Sequence, residues 1–169
     1  MPHPLVLQLR FTRAEFKRGL KGLSDADARQ RLLPMNCISW NIGHLAWQEQ
    51  RYFLYRGEGR ILLPDVQEQF KYGAPGTTPL LDEVLDDWRK ITAAADLWLD
   101  GLTTEKLLQF YLTEAGQPGP ATFGNLLQRT IYHYWYHTGE NMAIRQSLGH
   151  KDLAEFVGEI DSEAPYRSD

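Results

Sequence analysis

The histidines of this chain stand in a pattern that can bind a metal ion. Residues 133–137 read His-Tyr-Trp-Tyr-His, so His133 and His137 are four positions apart, and His44 lies in a separate aromatic-rich stretch. Side chains four positions apart share one face of an α-helix. Three histidines from two helices can hold one divalent cation and leave a coordination position open, which is typical of a reactive site.

A second interpretation of the histidine pair stays open. Two buried imidazoles can be ordinary core residues that form hydrogen bonds with polar neighbours. Burying both rings costs free energy unless each finds a partner, and one metal ion satisfies both because neutral imidazole is a common ligand. The presence of His44 on another predicted helix favours the metal interpretation.

Aromatic and charged residues flank His44 at helical spacing. Trp40 and Trp47 can wall a cation with apolar surface. Arg51, two turns further along, can meet an anionic group of a substrate, but pairing with a carboxylate or reaching to water is the favoured interpretation. Cys37, two turns before His44, is interpreted as a small apolar filler rather than a ligand.

The carboxylate of Glu140 lies three residues after His137, near the same helix face. It can orient the imidazole of His137 through a hydrogen bond, or carry a proton during a reaction. It can equally be a solvated acid or an ion-pair partner of Arg145. These roles stay open, and no catalytic residue is assigned from the sequence.

The remaining sequence excludes several other kinds of site. It contains no Glu-x-x-His for a di-iron bundle, no glutamate next to His133 as in helical zinc proteases, and no phosphate-binding glycine loop. The net charge of −4 does not indicate binding to nucleic acid, which is itself negatively charged. One cysteine cannot form a disulfide framework. No apolar run approaches the ~20 residues that cross a bilayer. We therefore expect a cytoplasmic protein with neither nucleic acid nor membrane as a partner.

Four long stretches have the apolar periodicity of helices, and strand signals are sparse. The predicted helices cover residues 4–20, 39–56, 79–99 and 122–148. The second is apolar on nearly all sides, which is typical of a helix buried between neighbours. In the fourth, His133 and His137 fall in the apolar sector. The pattern predicts an all-α fold, a four-helix bundle with short extra helices, as one domain over residues 1–169.

Flanking residues indicate how these helices begin and what connects them. Thr78 and Thr122 are candidate N-caps, because a hydroxyl can accept from the first free backbone amides of a helix. Residues 57–77 predict a long loop, either a crossover connection or a lid over a site. Residues 107–112 can form a brief strand, and residues 116–120 predict a turn.

Two segments carry a family resemblance. Residues 39–46, Ser-Trp-Asn-Ile-Gly-His-Leu-Ala, resemble the second-helix motif of the DinB-like superfamily, also called the YfiT-like metal-dependent hydrolases. Residues 133–140, His-Tyr-Trp-Tyr-His-Thr-Gly-Glu, followed by Arg145 and Leu-Gly at 148–149, resemble its fourth-helix motif. Chain length and helix order extend the resemblance over nearly the whole chain.

The resemblance implies an up-up-down-down four-helix bundle with His44, His133 and His137 as the metal ligands. It implies zinc or nickel as the divalent metal, with iron in one branch. Members with an assigned activity include S-transferases and isomerases that use low-molecular-weight thiols such as mycothiol or bacillithiol, and homodimers are frequent. The iron sulfoxide synthase of ergothioneine biosynthesis shares the three histidines, but its acid follows the second histidine by two residues. Glu140 follows by three, so we expect no iron oxygenase.

Two functions from different classes follow. The leading hypothesis is a metal-dependent enzyme, a thiol S-transferase or hydrolase that acts on an electrophilic small molecule at an open three-histidine site. The alternative is a non-enzymatic, stress-induced helical protein whose metal is structural. A vacant coordination position argues against the alternative, because a structural zinc site is normally filled by four protein ligands.

Overall fold

A computed structural model describes residues 2–167, and within them the fold is mostly helical. The long helices are α1 (Pro4–Gly19), α3 (Ile38–Glu49), α6 (Leu81–Leu99) and α8 (Phe123–Ser147). The short helices are α2 (Asp25–Ala28), α4 (Arg56–Glu58), α5 (Pro64–Gln69), α7 (Thr104–Leu107) and α9 (Ile160–Glu163). Two strands, β1 (Phe110–Leu112) and β2 (Pro118–Thr122), form a small antiparallel sheet. The four predicted long helices are thus confirmed, and their up-up-down-down order stays a prediction.

The second long helix changes its winding halfway along. After α3, the chain continues without a break as a π-helix over Gln50–Tyr55 and then as α4. A π-helix is rare, and it is often found at functional sites. The apolar periodicity correctly predicted a helix over residues 39–56 but carried no signal for this wider winding.

The long helices enclose one apolar core. α1 packs against α8, and α3 packs against both α6 and α8. Every residue of α3 is buried, which confirms the expectation for a helix that is apolar on all sides. Among the fully buried rings, Phe16 of α1 meets Tyr134 of α8 edge-on, with centroids 5.3 Å apart. Burying one such side chain contributes about 1.5–3 kcal/mol.

A buried polar network crosses this core. Arg13 of α1 forms a two-pronged ion pair with Glu49, which is completely buried at the end of α3. The hydroxyl of Tyr134 donates to Glu49 at 2.6 Å and accepts from the Trp88 indole at 2.6 Å. Burial alone would lower the pKa of Arg13, but the charge and hydrogen bonds of Glu49, together with Tyr134 and Asp96, outweigh it and the pKa is raised. Arg13 also pairs with Asp96 of α6 at 2.7 Å, so the network ties the long helices together.

The predicted N-caps have different outcomes. Thr122 caps α8, since its hydroxyl accepts from the Asn125 amide at 3.2 Å. Thr78 does not cap a helix, because α6 begins only at Leu81. The Leu81 amide instead donates to the Asp25 carboxylate of α2 at 2.8 Å. A charged acceptor from a distant segment replaces the local cap, which is why the sequence prediction was wrong there.

The connections contain more regular structure than the sequence predicts. Residues 57–77 include the helix α5, so they do not form a continuous loop. The predicted turn at 116–120 is partly wrong, because β2 begins at Pro118 and pairs with β1. Gly116, with a φ of 71°, makes the tight connection between the two strands. No helix within residues 2–167 has the length and apolarity to span a bilayer.

Candidate metal centre

The packing of α3 against α8 brings the three predicted histidines together. The ring centroid of His44 lies 5.0 Å from that of His133 and 5.6 Å from that of His137. The two rings of α8 are 4.6 Å apart. One ligand nitrogen from each ring lies within 4.8 Å of the others, so the cluster can hold a metal ion. His137 is buried and His133 half-buried.

A backbone carbonyl fixes the orientation of His44. Its Nδ1 lies 2.7 Å from the carbonyl oxygen of Phe70, the residue that follows α5. A carbonyl can only accept, so Nδ1 carries the proton and donates it. The neutral ring then presents the lone pair of Nε2 as a ligand, an arrangement that is usual for metal-binding histidines. This contact could not be predicted from the sequence, because any residue type offers a carbonyl.

A carboxylate orients His137 in the same way. Its Nδ1 donates to Glu140 at 2.7 Å, and the Asn41 amide donates to the same carboxylate oxygen at 2.9 Å. Glu140 is therefore the hydrogen-bond partner of a candidate ligand. Arg145 donates instead to the backbone carbonyls of Gly19 and Lys21, so the ion-pair alternative for Glu140 is wrong.

The two histidines of α8 face each other through their ligand nitrogens. Nε2 of His137 lies 3.0 Å from Nε2 of His133. Two nitrogens bound to one tetrahedral zinc ion at ~2.0–2.1 Å would be about 3.3 Å apart, which is close to this separation. Burial and then the neighbouring His137 lower the pKa of His133 to about 3, and burial lowers the pKa of His44. Both rings are therefore neutral at pH 7, the form that binds metals.

The donor set fits a divalent transition metal. Imidazole nitrogen suits zinc, nickel, copper and iron, whereas magnesium and calcium prefer oxygen ligands. Among residues 2–167, no acidic or cysteine side chain joins the three histidines in this group. Cys37 lies at the start of α3, where its buried thiol is 3.4 Å from the Thr77 carbonyl. It is therefore not a ligand.

Two indoles hold the ring of His44 between them. Trp40 stacks on it at 4.9 Å and Trp47 at 5.1 Å, with interplanar angles of 16° and 21°. Trp40 also donates to the Pro75 carbonyl at 3.2 Å. The segment that contains α5 therefore packs over α3 at the site, and Phe70 and Pro75 are its points of attachment.

The amide of Gln50 anchors the other end of this segment. Its Oε1 accepts from the backbone amides of Leu62 and Leu63 at 3.0 and 2.7 Å, and its Nε2 donates to the Leu63 carbonyl at 3.0 Å. Gln50 is the first residue of the π-helix. The irregular winding of the second helix thus supports the segment that orients His44.

We expect Gly43→Ala to weaken metal binding about 10–100-fold, as is typical when the support of a ligand is disturbed. A Cβ at Gly43 would lie 2.6 Å from the ring of Phe70, which is buried and must move together with the carbonyl that holds His44. Metal titration measures the effect. Gly139→Ala is the matched control, because a Cβ there meets nothing within 4 Å. Equal affinities of the two variants would contradict the expectation.

A cavity of about 460 Å³ opens beside the histidines. His44 and His133 lie at one side, and Trp47, Arg51 and Arg129 also line it. This volume suits a small-molecule ligand. Arg51 forms no ion pair with a carboxylate among the described residues, so of the two roles in the favoured interpretation only reaching to water remains for this half-exposed side chain. Its guanidinium instead lies over the Trp47 ring, 5.3 Å from the centroid.

Comparison with known proteins identifies the family of this chain. No curated protein matches the chain. The family model described as the DinB superfamily matches residues 8–140, a span that contains the three histidines and Glu140. This span is most of the chain, and the matched family is the one that the two sequence motifs resemble. The chain therefore belongs to the DinB superfamily.

Proposed function

We propose that this protein is a metal-dependent enzyme that transfers a thiol to, or hydrolyses, an electrophilic small molecule. His44, His133 and His137 would be the ligands of its divalent ion, with zinc or nickel as the expected metal. The observation that carries the proposal is the fixed orientation of two of the rings. Phe70 and Glu140 each accept an Nδ1 proton, so the opposite nitrogens are free to bind.

The residues around the site have distinct roles in this proposal. A bound divalent ion supplies Lewis acidity, which lowers the pKa of a thiol or water and provides a nucleophile at neutral pH. Glu140 keeps the proton on Nδ1 of His137. Trp40 and Trp47 cover the faces of His44 and exclude water from that ring. The adjoining cavity receives the electrophile.

Removing and restoring the metal tests this function. We expect protein purified without a histidine tag and reloaded with zinc or nickel to conjugate N-acetylcysteine with monochlorobimane, or to hydrolyse p-nitrophenyl acetate. The rate should exceed that of the chelated protein by at least about 100-fold, a modest share of what a Lewis acid supplies. Fluorescence or absorbance gives the rates. Equal rates with and without metal would overturn the enzymatic proposal.

The same experiment separates the non-enzymatic alternative. A structural metal would give no turnover of either substrate pair, while its removal would lower the melting temperature sharply. An enzyme with an open site should lose turnover on chelation and keep most of its stability, because the apolar core is independent of the ion. Parallel thermal unfolding of both forms makes the distinction.

The oligomeric state and the cellular location of the protein are also part of the proposal. We infer one domain over residues 1–169, with its long helices in up-up-down-down order, that associates as a homodimer in the reduced cytoplasm. The free thiol of Cys37 agrees with a reduced setting. Sedimentation at micromolar concentration should give twice the chain mass of 19.5 kDa, and the monomer mass would contradict the dimer.

A further inference from the structure

Two arginines beside the candidate metal centre have no acidic partner. Arg51 follows His44 by two helical turns, Arg129 precedes His133 by one turn, and both line the cavity of about 460 Å³. In the described part of the chain, neither guanidinium forms an ion pair or donates a hydrogen bond. A guanidinium has five N–H donors, so two such groups facing one cavity favour an anionic ligand.

The position of Arg51 is fixed relative to the histidines. Its guanidinium carbon lies 5.3 Å from the Trp47 ring centroid, and that indole stacks 5.1 Å from the ring of His44. The indole of Trp47 therefore lies between the guanidinium of Arg51 and the imidazole of His44, which is a candidate metal ligand. Stacking on an indole holds the face of a guanidinium and leaves its N–H edge free to bind.

The surroundings of this arginine pair are positively charged. Burial lowers the pKa of Arg56, and the charges of Arg51 and Arg129 lower it further. Glu114, an acid that lines the adjoining cavity, accepts a hydrogen bond from the hydroxyl of Tyr55. In a chain with a net charge of −4, this is a local excess of positive charge at the mouth of one site.

Two buried polar groups of the same cavity wall also have no partner. Trp47 and Gln48 are 5% and 6% exposed. In the described residues, neither the indole N–H of Trp47 nor Oε1 of Gln48 forms a hydrogen bond. Buried groups of this kind cost free energy unless something binds them. The indole N–H of Trp47 and the amide oxygen of Gln48 therefore provide a neutral donor and a neutral acceptor beside the two guanidinium groups.

We propose that the substrate carries an oxyanion, either a carboxylate or a phosphate, which Arg51 and Arg129 bind while its reacting group lies at the histidines. The placement of the reacting group rests on the proposed function, whereas oxyanion binding requires no metal. Tyr72 and Tyr132, both largely exposed at the cavity, would flank the body of the substrate. The fork of a guanidinium matches the geometry of either oxyanion.

Three aromatic probes of similar size test this inference: benzoate, phenyl phosphate and the uncharged benzyl alcohol. The full-length protein is titrated with each, and the indole N–H resonance of Trp47 is followed by heteronuclear NMR. Both anions should shift it saturably, and benzyl alcohol should bind at least about tenfold more weakly. Arg51→Ala and Arg129→Ala should each weaken anion binding about tenfold or more.

The control variant is Arg89→Ala, which removes an exposed arginine of α6 that lines a different cavity. It should leave the affinities unchanged. Arg129→Lys should restore part of the affinity, because it keeps the charge and loses the fork. A preference between benzoate and phenyl phosphate identifies the oxyanion. Equal affinity for benzyl alcohol, unchanged affinity in both arginine variants, or no shift with any probe would overturn the inference.

The metal-free and metal-loaded proteins are both titrated, so this inference and the proposed function can fail separately. If the protein retains no metal after incubation with zinc or nickel but still binds benzoate through the arginines, the oxyanion site stands and the metal-dependent enzyme is removed. If the histidines bind metal but the protein shows no preference for the anionic probes, the metal-dependent enzyme stands and the oxyanion site is removed.

Discussion

The His137→Ala variant is expected to lose more than about 100-fold in metal affinity, which is beyond the usual effect of removing a residue that only supports a ligand. His137 contributes Nε2, 3.0 Å from Nε2 of His133, and it is also the ring that Glu140 orients. Two imidazoles from different helices would remain, a set that rarely holds zinc or nickel. Metal content per chain, measured by plasma mass spectrometry on tag-free protein, gives the result.

The matched control is His150→Ala. His150 lies outside the cluster, where it accepts from Arg145 at 3.0 Å and lies 3.3 Å from the Asp27 carboxylate. This variant should keep the metal content of the wild type. If His137→Ala also keeps it, or if both variants lose it equally, the three histidines are not the ligands. Circular dichroism establishes that each variant is folded before the comparison is made.

Replacing Glu49 with alanine is expected to lower the free energy of unfolding by about 3–5 kcal/mol. The carboxylate is completely buried, and Arg13 and Tyr134 would lose their shared acceptor. Asp96 would still pair with Arg13, but the Tyr134 hydroxyl would lose the carboxylate to which it donates. For a chain of this size the melting temperature should fall by about 10 °C or more.

Asp86→Ala provides the comparison for this prediction. Asp86 forms an ion pair with Lys90 one turn away, and both side chains are exposed to solvent. Its removal should leave the melting temperature nearly unchanged, because exposed ion pairs contribute little. Urea unfolding of both variants and the wild type measures the difference. A similar small effect for Glu49→Ala would show that the buried network does not stabilise the fold.

The sequence predicted the parts of this protein that depend on local periodicity. The four long helices follow from apolar spacing, and the shared face of His133 and His137 follows from their separation of four residues. That His44 faces the same point depends on how α3 packs against α8. Periodicity placed each residue on a face, but the distances between rings required the structure.

The missed features have a common physical cause, since each depends on contacts between distant segments. The Phe70 carbonyl that orients His44 has no sequence signature, because every residue has a carbonyl. The Asp25 carboxylate that caps α6 comes from another helix. Gln50 begins a π-helix and braces the segment before α5 through three hydrogen bonds. A role for Asn41 at the site, where it donates to Glu140, could have been predicted from the sequence because Asn41 lies one turn before His44.

The most direct test of the central claim is anomalous diffraction from a crystal of tag-free protein, with data collected on both sides of the zinc and nickel absorption edges. We predict one peak that first appears when one of these two edges is crossed and that lies within about 2.0–2.1 Å of a nitrogen from each of His44, His133 and His137. A metal-saturated crystal with no such peak, or with a peak elsewhere in the molecule, would contradict it.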